Sequence, residues 1–247
     1  MKQIAPAVWT FSGLLVGRVY AIEDADGLTL IDSGLESAPD KIMRQLRAAG
    51  YQPAAVKRIL LTHAHIDHAS GLRELYERTG AEIIVPAGER DFVEGRRAPL
   101  NAPDAVLTPL ERRIFAEVPF LKAAPVHRTV SDGDVLPEVM GGLQAFGTPG
   151  HTPDHMAYWQ PERRILFCGD VMMRLPRLRL PFHVSSFDME QNKRSIARVA
   201  DLGVDLLCLG HGQPLANAAP AIRQFADSVA GHPKGPRRPV AGAETSS

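Results

Sequence analysis

His63-Ala64-His65-Ile66-Asp67-His68 places four potential metal ligands within six residues, directly after the apolar run Ile59-Leu60-Leu61. A strand that ends in such a cluster presents imidazoles and a carboxylate together at the edge of a sheet. Further candidates follow downstream: His151 in Thr148-Pro149-Gly150-His151-Thr152, Asp170 in Cys168-Gly169-Asp170, and His211 in Leu209-Gly210-His211-Gly212. Each sits at the end of an apolar run or in a Gly/Pro turn, where a side chain projects from a scaffold into a cleft. Five histidines and two aspartates result, enough to hold two cations side by side. Neutral imidazole and carboxylate suit zinc, iron and manganese, and soft thiolate is missing from the set. A lone His-x-His is weak evidence, so the weight rests on the full set in this order and context.

With these residues in place, the chain resembles the metallo-β-lactamase-fold superfamily, whose signature is His-x-His-x-Asp-His followed by separate His, Asp and His residues. The resemblance spans roughly residues 5 to 230. It implies that His63, His65 and His151 bind one metal, that Asp67, His68 and His211 bind the other, and that Asp170 bridges the two. Ile31-Asp32-Ser33-Gly34 matches the family's early Asp motif, which implies a supporting role for Asp32 behind the ligands. The implied fold is an α/β (α+β) αββα four-layer sandwich with two mixed β-sheets and the metals at one edge. Two divalent cations are implied, zinc before iron or manganese.

Two adjacent cations set the chemistry. Bound water falls from a pKa of about 15.7 to about 7, and hydroxide held between ions roughly 3.5–4 Å apart can attack a carbonyl carbon. The second metal takes up the developing oxyanion. The resemblance gives Asp67 a catalytic role, orienting that hydroxide or accepting its proton. The expectation is a metal-dependent hydrolase of a small ester, lactone or thioester, with no Ser or Cys nucleophile. True β-lactamases of this fold commonly place Cys or Ser where this chain has Asp170, and an Asp there resembles instead lactonases, thioesterases of the glyoxalase II kind and nucleases. Val171-Met172-Met173 stands where lactonases commonly carry a Tyr, and the chain is too short for a full glutathione-binding C-terminal domain. An alternative from another class is a persulfide dioxygenase-like oxidoreductase, with one iron on His63, His151 and Asp170.

The elements that must position these residues are legible as patterns. Val8 to Ile22 alternates loosely, Asp26-Gly27 offers a tight turn, and Leu28 to Ile31 follows, predicting antiparallel strands. Pro39 opens a helix with Ile42 and Leu46 on one face and Gly50 as its stop. Ile59 to Leu61 is a strand; from His68, Leu72, Leu75, Tyr76 and Thr79 recur at helical spacing until Gly80. Ile83 to Val85, Leu143 to Phe146, Met156 to Trp159, Ile165 to Cys168 and Leu206 to Leu209 read as further strands. Ile196 with Val199, and Ile222 with Phe225 and Val229, mark two more amphipathic helices.

One metallo-β-lactamase-fold domain over residues 1–230 is expected, with a tail at 231–247 rich in Pro, Gly and Arg and disordered. Residues 86–128 form an insertion, read either as a surface helical pair with its own small core or as a cap over the cleft. The Arg-rich run 174 to 183 is a solvated loop or, alternatively, a lining of the cleft that favours a carboxylate or acyl group. His155 is assigned a supporting or structural place, His127 and His232 a solvated one, and His183 is left open. Cys168 and Cys208, the two cysteines, lie in apolar runs and read as small core residues in a reducing cytoplasm. Net charge is zero, so no global field recruits nucleic acid. No stretch approaches a membrane span. The expected partner is a small-molecule substrate, without nucleic acid or membrane, in a chain whose apolar insertion is compatible with a homodimer.

Overall fold

Ile59-Leu60-Leu61 and Ile83-Ile84-Val85 are buried at every position, so the strands carrying them must be covered on both faces. The computed structural model describes residues 1–115 and 119–230. Its first half runs β1 (Lys2–Ala5), β2 (Val8–Thr10), β3 (Tyr20–Asp24), β4 (Gly27–Ile31), α1 (Ala38–Ala48), β5 (Val56–Leu60), α2 (Ile66–Ala69), α3 (Leu72–Thr79), β6 (Glu82–Pro86), α4 (Arg90–Val93), α5 (Pro109–Phe115) and β7 (Arg128–Val130). These strands form one seven-stranded sheet in chain order, antiparallel from β1 to β4 and parallel from β4 to β7. The second half runs β8 (Val135–Leu136), β9 (Leu143–Gly147), β10 (Met156–Gln160), β11 (Ile165–Gly169), a ribbon of β12 (Met173–Arg174) and β13 (Leu178–Arg179), α6 (Met189–Ala200), β14 (Leu206–Leu209), β15 (Leu215–Ala216) and α7 (Ala219–Val229). Its six-stranded sheet has the order β15-β14-β11-β10-β9-β8, with β11 and β14 parallel and the other neighbours antiparallel.

Strand periodicity sorts the side chains into three apolar layers. Ile22, Ile31, Leu60, Ile84, Tyr158, Phe167 and Cys208 meet between the sheets. Ile59, Leu61, Ile83 and Val85 point the other way, onto Ile42 and Leu46 of α1 and Leu72 and Leu75 of α3. Leu166, Cys168, Leu207 and Leu209 face Ile196 and Val199 of α6 and Ile222 of α7. The result is the expected αββα four-layer sandwich with two mixed sheets. Cys168 and Cys208 are free and buried in adjacent layers. Among the described residues no helix is long and apolar enough to cross a membrane.

Two expectations change. The helical stretch from His68 to Gly80 is broken into α2 and α3, because Gly71 packs against the loop after β4. A Cβ there would stand 2.5 Å from the Ser33 carbonyl oxygen, and the Gly71 N–H donates to the Gly34 carbonyl at 2.9 Å. Among the described residues of the insertion, Phe92, Val93, Leu121, Ala124 and Val126 join the outer layer of the first sheet rather than a separate core. The tail 231–247, with His232, lies outside the described residues.

Two buried tyrosines tie the sandwich to the loops at its edge. Tyr158 donates to the Leu61 carbonyl at 2.8 Å, two residues before His63, and Tyr20 donates to the Leu209 carbonyl at 2.7 Å, two residues before His211. Replacing either by Phe leaves a buried carbonyl without that donor. Tyr158→Phe and Tyr20→Phe are each expected to lower the unfolding free energy by about 1–3 kcal/mol in urea titrations; a loss of a few tenths would mean that water or another donor replaces the phenol.

Candidate metal centre

The site is assembled where strands of both sheets end. Beyond β5 the chain passes through Thr62-His63-Ala64-His65 into α2, whose first turn carries Asp67 and whose next residue is His68. His151 lies in the turn between β9 and β10, Asp170 directly follows β11, and His211 follows β14. Close approach of these segments demands glycine at 210: a Cβ there would stand 2.1 Å from Asp170 Oδ1 and 2.8 Å from His68 Cε1.

All seven residues expected to bind metal are brought together. The nitrogens His65 Nδ1 and His151 Nε2 stand 2.9 Å apart. His211 Nε2 is 3.0 Å from Asp67 Oδ2 and 3.0 Å from Asp170 Oδ2. Asp170 also reaches the remaining rings, with Oδ1 3.4 Å from His68 Nε2 and Oδ2 3.5 Å from His151 Nε2. Donor atoms within 4.8 Å of one another form the sets His63, His65, His151; His63, His68, Asp170; and Asp67, His68, His211.

The outer nitrogen of each buried ring is occupied, which decides what the inner one offers. Nδ1 of His63 meets Thr62 Oγ1 at 3.0 Å, Nε2 of His65 meets the Leu100 carbonyl at 2.8 Å, and Nδ1 of His151 meets Ser186 Oγ at 3.1 Å. Nδ1 of His68 meets Asp32 Oδ2 at 2.8 Å. The carbonyl and the carboxylate only accept, so His65 Nε2 and His68 Nδ1 carry protons and His65 Nδ1 faces inward as a lone pair. Three buried inward atoms, His63 Nε2, His68 Nε2 and Asp170 Oδ1, have no hydrogen-bond partner. Leaving such atoms unsatisfied costs about 1–3 kcal/mol each, and a cation that accepts lone pairs from all of them fits that donor set.

Electrostatics divides the cluster. Burial holds the imidazoles of His63, His65 and His151 below the ordinary histidine range, the first and last of them well below. Burial alone would raise Asp67, but His68 and the His211 hydrogen bond overcome it and hold the carboxyl at about 2. Burial would likewise lower His211, yet Asp170 and Asp67 lift it to about 9. The site thus combines neutral nitrogen donors at one side with ionised carboxylates at the other.

A family model described as Metallo-beta-lactamase superfamily matches residues 12–211. The chain belongs to this superfamily. It is 27% identical over 224 residues to the Bacillus subtilis "Probable metallo-hydrolase YflN", covering 81% of this chain and 82% of that protein. It is 32% identical over 206 residues to the hydroxyacylglutathione hydrolase of Xanthomonas oryzae pv. oryzae, covering 83% of this chain and 64% of that enzyme. The solved structure of a metallo-β-lactamase family protein from Thermus thermophilus superposes with a TM-score of 0.68 at 22% identity, covering 92% and 80% of the two chains. BJP-1, a subclass B3 metallo-β-lactamase of Bradyrhizobium japonicum, gives 0.68 at 23% identity, with 92% and 89% covered. As a member of this superfamily the protein is a metallohydrolase, and the superfamily binds divalent metals.

Several residues of this metallohydrolase stand behind the cluster. Asp32, at a left-handed φ of 64° just after β4, accepts from the Thr62 N–H at 2.8 Å while its other oxygen holds His68. His155 is not directed into the cluster. Its Nε2 accepts the Asp170 N–H at 2.9 Å and its Nδ1 meets Thr148 Oγ1 at 2.7 Å, while burial pushes it down to about 3 and keeps it neutral. His183 is an exposed partner of Glu111 on α5, at 2.8 Å, and His127 accepts the Ile83 N–H.

Glu89 is the residue that sequence reasoning missed. It is buried, with Oε2 accepting the Ala64 N–H at 3.1 Å between His63 and His65, and Oε1 accepting the Thr152 hydroxyl next to His151. One carboxylate therefore clamps two ligand loops from opposite halves of the chain. A lone Glu at the start of an insertion carries no sequence signal for this role. Burial raises its carboxyl from 4.5 to about 7, against the pull of both hydrogen bonds. Because the folded value lies above the unfolded one, the stability it contributes is fully present below 4.5 and is lost as pH climbs through about 7. With both proteins stripped of metal, the stability of wild type relative to Glu89→Gln is expected to fall by roughly 2–3 kcal/mol between pH 5 and pH 8 in urea melts. Parallel pH profiles for the two proteins would show that the buried carboxyl does not titrate there.

Proposed function

We propose that this metallohydrolase cleaves a small ester, lactone or thioester with two divalent cations, zinc first. In this reading His63, His65 and His151 hold one cation, Asp67, His68 and His211 the other, and Asp170 lies between them. The observation that carries it is the convergence of unpartnered buried atoms, His63 Nε2, His68 Nε2 and Asp170 Oδ1, on the space ringed by these residues. When bound, such cations lower the pKa of a ligated water to about 7 and take up charge developing on a carbonyl oxygen.

The chain's own groups supply the rest. Asp67 is ionised throughout the neutral range and opens to the cleft, with its side chain 20% exposed. It is placed to accept a proton from the attacking water and to hold His211 in register. Among the described residues at the site no hydroxyl or thiol is set up as a nucleophile. Ser185, the hydroxyl among the described lining residues, donates to the Phe182 carbonyl, and burial raises the Cys168 thiol. Thioester or ester cleavage is supported by the hydroxyacylglutathione hydrolase relatives, of which the chain covers 59% to 64% in the longer matches. The separate set Asp67, His68 and His211 supports two cations over a single iron.

Elemental mass spectrometry of the purified protein tests this directly. Close to two zinc or manganese ions per chain are expected, whereas one iron per chain, with oxygen uptake on persulfides, would replace the hydrolase reading with a dioxygenase. Chelator treatment is expected to abolish ester hydrolysis and zinc to restore it. His65→Ala and Asp170→Asn each remove a ligand and are expected to lower metal content clearly below two ions per chain and kcat/KM by at least about a hundredfold, beyond what loss of an outer partner costs at metal sites. Unchanged metal content in either variant would sink the assignment.

A further inference from the structure

Four separate chain segments bring large apolar side chains to one opening beside the metal centre. Val16 comes from the loop after β2, Ile66 from the start of α2, Ile114 from α5 in the insertion, and Leu175 and Phe182 from the segment after Asp170. All five line a cleft of about 570 Å³ that also reaches Asp67, Asp170 and His211. They remain 46%, 40%, 62%, 46% and 48% exposed. Apolar surface gathered at one concave site, with polar groups confined to its floor, is the usual form of a ligand pocket.

Charge is as informative as shape. No Lys or Arg is among the described residues lining this cleft. The Arg-rich run 174 to 183, read as a solvated loop or alternatively as a lining of the cleft, contributes its apolar members Leu175 and Phe182 to the lining. Arg174 turns away to the Gln213 and Pro214 carbonyls, and Arg179 lies over the outer Phe182 ring at 5.3 Å. The adjoining polar depression of about 520 Å³ shares Val16, Leu175 and His211 with the cleft and contains Lys2 and Arg18, but the Arg18 guanidinium is bonded to Gly212 and Thr10. An anionic acyl group entering the apolar cleft would lose its hydration with no Lys or Arg among the described lining residues to replace it.

We infer that this cleft binds the uncharged, apolar acyl chain of the substrate, with Val16, Ile66, Ile114, Leu175 and Phe182 setting chain-length preference and excluding anionic acyl groups. The inference rests on the hydrolase reading for the position of the scissile carbonyl, but the cleft's preference can be measured without turnover. Binding of butanamide, hexanamide and octanamide, neutral and resistant to cleavage, is followed on the metal-loaded protein by calorimetry, with the anionic succinamate as counterpart. In parallel, kcat/KM is measured for the matching acyl p-nitrophenyl esters and for a hydroxyacylglutathione.

Affinity is expected to rise about two- to four-fold per added methylene, as partial to full burial of each group provides, with succinamate binding weakest. Phe182→Asp and Ile114→Ser, at exposed positions, are expected to flatten the series. Equal affinity across the series, or preference for succinamate or the glutathione thioester, would overturn the inference whatever the esters do. A steep amide series with no hydrolysis of any ester would uphold the acyl cleft and remove the hydrolase reading instead.

Discussion

The molecule is organised around the cost of holding seven titratable side chains within a few ångströms, most of them out of water. His63, His68, His151 and Asp170 are each no more than 3% exposed. Imidazoles so placed remain neutral unless a carboxylate faces them, and a carboxylate so placed remains ionised only beside an imidazolium or a cation. The structure meets both conditions by giving the outward nitrogens of His63, His65, His151 and His68 one partner each: a threonine hydroxyl, a backbone carbonyl, a serine hydroxyl and Asp32. Inward atoms are thereby left pointing at one another. Such an arrangement is stable as a polar network only when something accepts those lone pairs.

That requirement propagates into the sandwich. The outer partners come from Thr62 beside β5, Leu100 in the insertion, Ser186 before α6 and Asp32 after β4, so the rings are oriented only if both sheets are in register. Tyr20 and Tyr158 cross from one sheet to the other and bond carbonyls that lead into the ligand loops. Glu89 closes the same circuit from the first sheet to the His151 turn. Packing of the inner layer and geometry of the site are consequently one problem: a shift between sheets would misdirect the rings before it exposed much apolar surface.

Legibility in the sequence follows the distance over which each feature is encoded. Residues 63–68 announce themselves because four donor types fall in one short stretch after an apolar strand, and His151, Asp170 and His211 follow because each ends a run in a Gly-bearing turn. Central strands were readable as continuous apolar runs because both faces of the sheets are covered, and the longer helices from their period-3.6 apolar faces. Glu89 was not, because its partners are a backbone N–H and a hydroxyl whose positions exist only after folding. Leu100 was invisible for a stronger reason: it acts through its carbonyl, which every residue possesses. The break at Gly71 likewise depends on the loop of β4 arriving against it, and the Arg-rich run stayed open between solvated loop and cleft lining because composition does not say which of its side chains faces inward: Leu175 and Phe182 line the cleft while Arg174 turns away.

The two halves of the ligand cluster are not equivalent, and the difference gives the site a direction. His63, His65 and His151 form a set that is almost wholly buried and held from behind by neutral partners, whereas the side chains of Asp67 and His211 keep 20% and 14% of their surface. Solvent reaches the cluster most openly at Asp67 and His211, and the apolar cleft touches these two together with His65, His151 and Asp170. Asp67 belongs to both environments, with ionised oxygens toward the cluster and neighbouring Ile66 in the cleft wall. A four-residue helix thus carries both a carboxylate of the cluster and an apolar residue of the cleft wall. Gly17 packs so closely on the Asp67 carbonyl that a Cβ would stand 2.2 Å from it, so the loop carrying Val16 is fitted to the same helix. Val16, Ile66 and Asp67 thus meet at one side of the cleft, so its apolar wall and one carboxylate of the cluster are positioned by the same two segments.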